Sequence, residues 1–227
     1  MPCGMVSVLR PKIKVMKSIL LVLVLIISGA SIAQDKKAKG ILDKVSAKVK
    51  ANKSFYVEYS ANVKNTANGT NTNVTGKGWV KGDKFYATYG DNTIVCNGLK
   101  TWTVLKNSKE VVETASEEDD EESMNPKRLM TLWETGCTYK YDKEETLNGE
   151  KVYVINLYPK NARTANYHTV TVYISKSGNE LKKAVMKAKD GTVMTYSLTK
   201  FTANPTVEDS KFVFDMSKYP GYKKIKG

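Results

Sequence analysis

From Phe55 onward, apolar side chains recur at every second position in short runs, and turn dipeptides cut the runs apart. Phe55, Val57 and Tyr59 alternate with Tyr56, Glu58 and Ser60. Gly82-Asp83, Gly90-Asp91, Asn97-Gly98, Asn148-Gly149, Ser177-Gly178 and Asp190-Gly191 punctuate the rest of the chain. A period of two is the period of a strand with one buried face. Asn-Gly suits the type I′ hairpin turn, in which both central residues take positive φ. The runs are Gly78 to Lys81, Lys84 to Tyr89, Thr93 to Cys96, Thr101 to Leu105, Cys137 to Glu144, Lys151 to Tyr158, His168 to Ser175, Leu181 to Lys187, Val193 to Phe201 and Lys211 to Asp215. With the opening strand this gives about ten strands, joined as an antiparallel meander. Asn65 to Thr75, rich in Asn, Thr and Gly, reads as a hairpin loop.

Two segments break the rhythm. Ile41, Leu42, Val45 and Val49 fall at helical spacing among lysines, which predicts a helix over 37–52. Pro126 to Trp133, ending at Gly136, reads as a mid-chain helix with a proline in its first turn and a glycine cap. The acidic run Glu117 to Glu122 before it reads as a solvated loop. A meander this long is expected to curl. The expected fold class is therefore mainly β (α+β): an unclosed antiparallel β-barrel, or strongly curved sheet, with an N-terminal helix and a mid-chain lid helix. Phe85/Ala87/Tyr89, Tyr153/Ile155/Leu157 and Val170/Val172/Ile174 present one apolar face. Two readings of that face stay open, a filled core or a concavity that admits an apolar guest.

The first 33 residues stand apart from this pattern. Arg10, Lys12, Lys14 and Lys17 precede the apolar stretch Ile19 to Ile27 and the small-residue segment Ser28 to Ala33. That is the plan of a cleaved secretory signal peptide, and the apolar stretch falls short of the roughly 20 residues a membrane span needs. Residues 1–33 are assigned to the leader, with 1–15 as an over-extended start before Met16, and 34–227 to one domain. No Cys follows the apolar stretch, so the pattern of a lipid-anchored protein is missing. Of the remaining cysteines, Cys96 and Cys137 either pair or act as small buried hydrophobes. The meander order places their strands two positions apart, about 9–10 Å, beyond disulfide reach. Both are expected reduced and buried.

Composition restricts the function classes. His168 is the one histidine of the chain, which argues against histidine metal clusters and His-centred proton relays, and no Gly-x-Ser-x-Gly elbow occurs. An enzyme, a metal site and a cofactor are not expected. The net charge is +13, or +9 once the four basic residues of the leader are removed. This positive balance favours anionic lipid headgroups or an acidic partner. Arg128 and Arg163 stand alone, so nucleic-acid binding is not expected. Asn68-Gly69-Thr70 and Asn73-Val74-Thr75 match the glycosylation pattern, as an Asn/Thr-rich loop does by chance.

Several motifs occur in a telling order. Gly78-Trp79-Val80-Lys81 leads to Lys84-Phe85-Tyr86-Ala87-Thr88-Tyr89, and Asn97-Gly98-Leu99-Lys100-Thr101-Trp102 comes next. Asn125-Pro126 with Leu129, Val154 to Lys160, and Ser210-Lys211-Phe212-Val213-Phe214 complete the series. Together they resemble the outer-membrane lipoprotein carrier protein family over residues 37–225. The resemblance implies an unclosed barrel with a helical lid over a hydrophobic cavity. It also implies a periplasmic monomer that takes lipoprotein acyl chains from an inner-membrane exporter to an outer-membrane acceptor. Read with the strand alternation, it assigns Phe55, Trp79, Phe85, Tyr89, Trp102, Leu129, Trp133, Tyr153, Ile155 and Leu157 to the cavity and lid. The family's lid-closing Arg is absent from Val80-Lys81-Gly82-Asp83-Lys84, and Lys81 is the candidate latch. A periplasmic lipid- or lipoprotein-binding sensor on the same fold is the alternative reading.

Overall fold

A computed structural model describes residues 35–115 and 130–227. The leader, the acidic run Glu117 to Glu122, Pro126 and Leu129 lie outside them. Helix α1 covers residues 35–50. The strands are β1 (Ser54–Asn65), β2 (Thr70–Lys81), β3 (Lys84–Tyr89), β4 (Asn92–Cys96), β5 (Lys100–Leu105), β6 (Glu110–Ala115), β7 (Cys137–Leu147), β8 (Glu150–Pro159), β9 (Tyr167–Ser175), β10 (Leu181–Ala188), β11 (Val193–Ala203) and β12 (Lys223–Lys226).

Among the described residues these twelve strands form one sheet, in the order β12-β6-β5-β4-β3-β2-β1-β11-β10-β9-β8-β7. Two meanders meet where β1 pairs with β11, and the single parallel step among the described strands is β12 on β6. The expected curl is corrected here. The sheet is open, with β12 and β7 at its two edges, and it is not strongly curled. Its apolar surface is covered by packing elements instead of by folding back on itself. The helix and the 130–136 turn cover one face, and the C-terminal tail covers part of the other.

Strand register assigns each residue to a face. Val80 sits opposite Phe55 and Phe85 on the inner, helix-facing side. Trp79, one residue earlier, sits opposite Tyr56 and Tyr86 on the outer side. Two core clusters fill the inner side. One joins Ala38, Ile41, Leu42 and Val45 of α1 to Ile155, Leu157, Val170, Val172 and Ile174. The other joins Val49 and Met130 to Phe55, Val57, Val80, Phe85 and Ile94.

The structure changes four local expectations. Asn71 to Thr75 belong to β2, so the loop shrinks to residues 66–69. Both faces of this end of the hairpin are largely exposed, and Asn62 bridges the side chains of Asn71 and Asn73 at 2.9 Å, so polar residues suit a strand here. The mid-chain helix is not formed over its described part: residues 130–135 are hydrogen-bonded turns, and Glu134 N–H donates to Thr131 O at 3.0 Å. Lys211 to Asp215 is not a strand. A 3-10 turn, Asp209–Phe212, buries Phe212 alone, and the last strand comes later, at β12. β6, with its polar ends, escaped the alternation pattern.

The turns obey their chemistry. Asn148 and Gly149 take φ of 50° and 83°, as a type I′ turn requires. Gly76 is glycine because of close approach: a Cβ there would run into the Tyr59 ring and the Thr88 carbonyl. Cys96 and Cys137 are both buried, as expected. They lie eight strand positions apart rather than two, because the two meanders run away from each other from β1 and β11.

Candidate functional site

Helix α1 turns its apolar stripe inward and its lysines outward, and side-chain contacts hold both ends to the sheet. Near the N-terminus, Lys37 Nζ lies 3.8 Å from the centre of the Tyr141 ring and 3.4 Å from Glu144. Contact with Tyr141, then with Glu144, raises the Lys37 pKa, while Lys176 foremost lowers that of Glu144. Near the C-terminus, Lys48 binds Glu180 at 2.6 Å and donates to Gly178 O at 3.1 Å. That pairing holds the Glu180 carboxyl below its usual range.

The turn at residues 130–136 closes over the side of the helix. Trp133, 3% exposed, donates its indole N–H to Ser46 Oγ at 2.9 Å. Lys50 pairs with Glu134 at 2.8 Å. Between α1, this turn and the start of β7 lies an open groove of about 660 Å³. Leu42, Trp133, Cys137 and Tyr139 form its apolar floor, and Asp35, Lys39, Asp43, Lys50, Glu134 and Lys160 form a charged rim. The volume falls in the range of small-molecule sites. Beneath the C-terminal end of α1 a second cavity, of about 10 Å³, is bounded by Val45, Val49, Met130, Leu181, Leu198 and Phe201. Its volume is about that of one water-sized sphere.

The structure brings most of the sequence-assigned residues to one face. Phe55 and Phe85, each 2% exposed, pack under the end of α1 with Val49 and Met130. Ile155 and Leu157 are fully buried under its middle, and Tyr153 borders the same cluster. Tyr89 is half-buried at the far end of the inner face, opposite Gly76. Trp133 belongs to both the core and the groove. Trp79 and Trp102 are on the outer face, away from the others. Trp79 lies against Tyr56 and Tyr86, and Trp102 stacks on Phe214 with ring centroids 5.2 Å apart. Leu129 lies outside the described residues. Lys81 reaches Asp209 at 2.7 Å and Val207 O at 3.3 Å, so its contacts are with the C-terminal tail.

Sequence reasoning missed the groove floor at Leu42, Cys137 and Tyr139. Helical spacing and strand alternation mark these residues as inward-facing, but only tertiary packing sets buried Leu42 and Cys137 and half-buried Tyr139 beside a groove. His168, on the exposed start of β9, contacts Thr169 Oγ1 at 2.9 Å. No helix among the described residues is long and apolar enough to cross a membrane.

Comparison with known proteins agrees with this architecture. No curated protein matches. An uncharacterized conserved protein of Thermus thermophilus has a similar fold at 10% identity, with a TM-score of 0.56 over 84% of this chain and 99% of that one. A LolA superfamily protein of Nitrosomonas europaea aligns at 13% identity, with a TM-score of 0.41 over 78% and 97%. The Pseudomonas aeruginosa MucA/MucB complex aligns at 14% identity and a TM-score of 0.46, over 78% of this chain and 61% of that one. The family model for the outer membrane lipoprotein carrier protein LolA matches residues 50–215, from the end of α1 through β11 and the first tail turn. With most of the sheet inside that match, the chain belongs to the LolA family.

Proposed function

We propose that this protein is a periplasmic carrier which binds the acyl chains of lipoproteins and moves them from an inner-membrane exporter to an outer-membrane acceptor, working as a monomer. One observation supports this most directly. Leu42, Trp133 and Cys137, on the groove floor, belong to the same apolar cluster as Ile155 and Leu157 beneath the helix. Displacing the 130–136 turn joins the groove to the sheet's apolar face. Trp133 acts as the hinge side of that door, Tyr153, Ile155 and Leu157 as the wall behind it, and Phe55 and Phe85 as the far end. Lys81 serves to hold the tail.

The contacts closing the turn are of modest strength. A hydrogen bond such as Trp133 to Ser46 contributes about 0.5–1.5 kcal/mol, and an exposed pair such as Lys50 with Glu134 about 0–1. Burying one acyl CH₂ contributes about 0.8 kcal/mol, so a sixteen-carbon chain supplies roughly 12. Three fully buried chains would exceed the practical ceiling near 20 kcal/mol and would never leave. A partly open, charged-rimmed groove limits the grip to a reversible one.

Native mass spectrometry of the protein taken from the periplasm tests the reading. The expected spectrum contains species heavier by acylated cargo, depleted in Trp133→Glu. A spectrum of bare protein, together with failure to take a diacylated peptide from detergent, overturns it.

A further inference from the structure

The face of the sheet turned away from α1 carries a pattern that acyl-chain binding does not use. Register places Lys64, Lys77, Lys183, Lys187 and Lys200 on the outer side of the adjacent strands β10, β11, β1 and β2. Among the described residues of these strands, Glu58 is the one acid sharing that side. Glu58 is already engaged, by the Tyr56 hydroxyl at 2.7 Å and by Lys200 at 3.8 Å. The aromatic residues at the centre are amphipathic and half-buried: Tyr56, Trp79 and Tyr86 form a ladder with centroid spacings of 4.5 and 5.8 Å. Lys211, from the tail, places its ammonium 3.9 Å from the Trp79 ring centre and 4.5 Å from that of Tyr86. Lys77 lies 5.6 Å from the same Trp79 ring. Burial, and then the charge of Lys77, lowers the Lys211 pKa.

We propose that this outer face docks on an anionic phospholipid bilayer, with the lysines over the headgroup phosphates and those edges of the Trp79–Tyr56–Tyr86 ladder that the tail leaves uncovered at the headgroup level. Three observations favour a bilayer over an acidic protein. The surface is a sheet face several strands wide, which can meet a plane at many points at once. Its aromatic residues are Tyr and Trp, the side chains that settle at membrane interfaces. Its cations are lysines, which protein interfaces deplete in favour of Arg, and which act on a diffuse negative surface as point charges needing no fork geometry. The helix and the groove lie on the opposite side of the sheet, so docking leaves them accessible. The proposal stands whether or not the groove carries acyl chains.

The test is co-sedimentation of residues 34–227, which contain α1 and all twelve described strands, with phosphatidylcholine vesicles and with vesicles containing phosphatidylglycerol. Binding is expected to the anionic vesicles alone, and to disappear near 1 M salt, where the screening length shrinks to about 3 Å. Each lysine near an anionic surface contributes about 1 kcal/mol, roughly five-fold, so K77Q/K183Q should weaken binding roughly 25-fold. K36Q/K44Q makes the same change in net charge on exposed helix positions and should leave binding within about two-fold. Unchanged melting temperatures for both double variants confirm that the fold is intact. Equal binding to neutral vesicles, no binding to anionic ones, or equal losses in the two double variants overturns the proposal. So does binding of soluble polyglutamate, but not of vesicles, through Lys77 and Lys183, which would make the face a protein-docking surface.

Discussion

Ser46→Ala sets two effects of opposite sign against each other at one atom. Ser46 lies inside α1, 6% exposed, and its hydroxyl receives the Trp133 indole N–H at 2.9 Å. Alanine is the better helix former, a gain of about 0.5 kcal/mol at an interior position. Against that, the substitution leaves a buried indole N–H without an acceptor, at a cost of about 1–3 kcal/mol. The difference is a net loss near 1.5 kcal/mol, or a fall in melting temperature of roughly 3–6 °C for a domain of this size. The loss should appear first in the 130–136 turn, because opening it returns the indole to water. Thermal unfolding followed by circular dichroism gives the global number, and hydrogen exchange at Thr131 to Gly136 gives the local one. Ala47→Ser, at the exposed neighbouring position, measures the propensity difference alone. If Ser46→Ala raises the melting temperature and leaves exchange in the turn unchanged, the indole bond contributes nothing and the hinge role of Trp133 falls.

The geometry yields three further outcomes. Glu113 accepts from Lys100 at 2.8 Å, Lys224 at 2.5 Å and the Trp102 indole at 2.7 Å, and these contacts lower its pKa from 4.5 to about 2. Its stabilisation of the tail is therefore complete above pH 4.5 and is lost as pH falls toward 2; Trp102 fluorescence should report tail release over that window, and Glu113→Gln should flatten it. Gly76→Ala should cost about 1–3 kcal/mol or more in urea unfolding, since the Thr88 carbonyl is backbone and cannot move aside; a loss below 0.5 kcal/mol, on the order of measurement error, would contradict the close approach of Tyr59. Residues 34–227, unfolded without reductant, should titrate with two thiols from Cys96 and Cys137; a count of zero would place the two strands together, against the sheet order.

Local patterning was enough to place most of the strands, their turns and the helix. Alternation at Phe85/Ala87/Tyr89 and helical spacing at Ile41/Leu42/Val45/Val49 are consequences of pleat and pitch, legible wherever one face is buried. The same local rule could not say which of two adjacent residues faces the helix. Val80 and Trp79 are both hydrophobic, and only pairing with β1 and β3 sent Trp79 to the outer face. Alternation also failed where both faces meet solvent, at Asn71 to Thr75, because polar residues then carry no period. The open sheet, the turn in place of a lid helix over residues 130–135, and the groove at Leu42, Trp133 and Tyr139 arise from packing between distant segments. Each depends on how much apolar surface the helix, turn and tail leave uncovered, which is a property of the packed molecule and of no single segment.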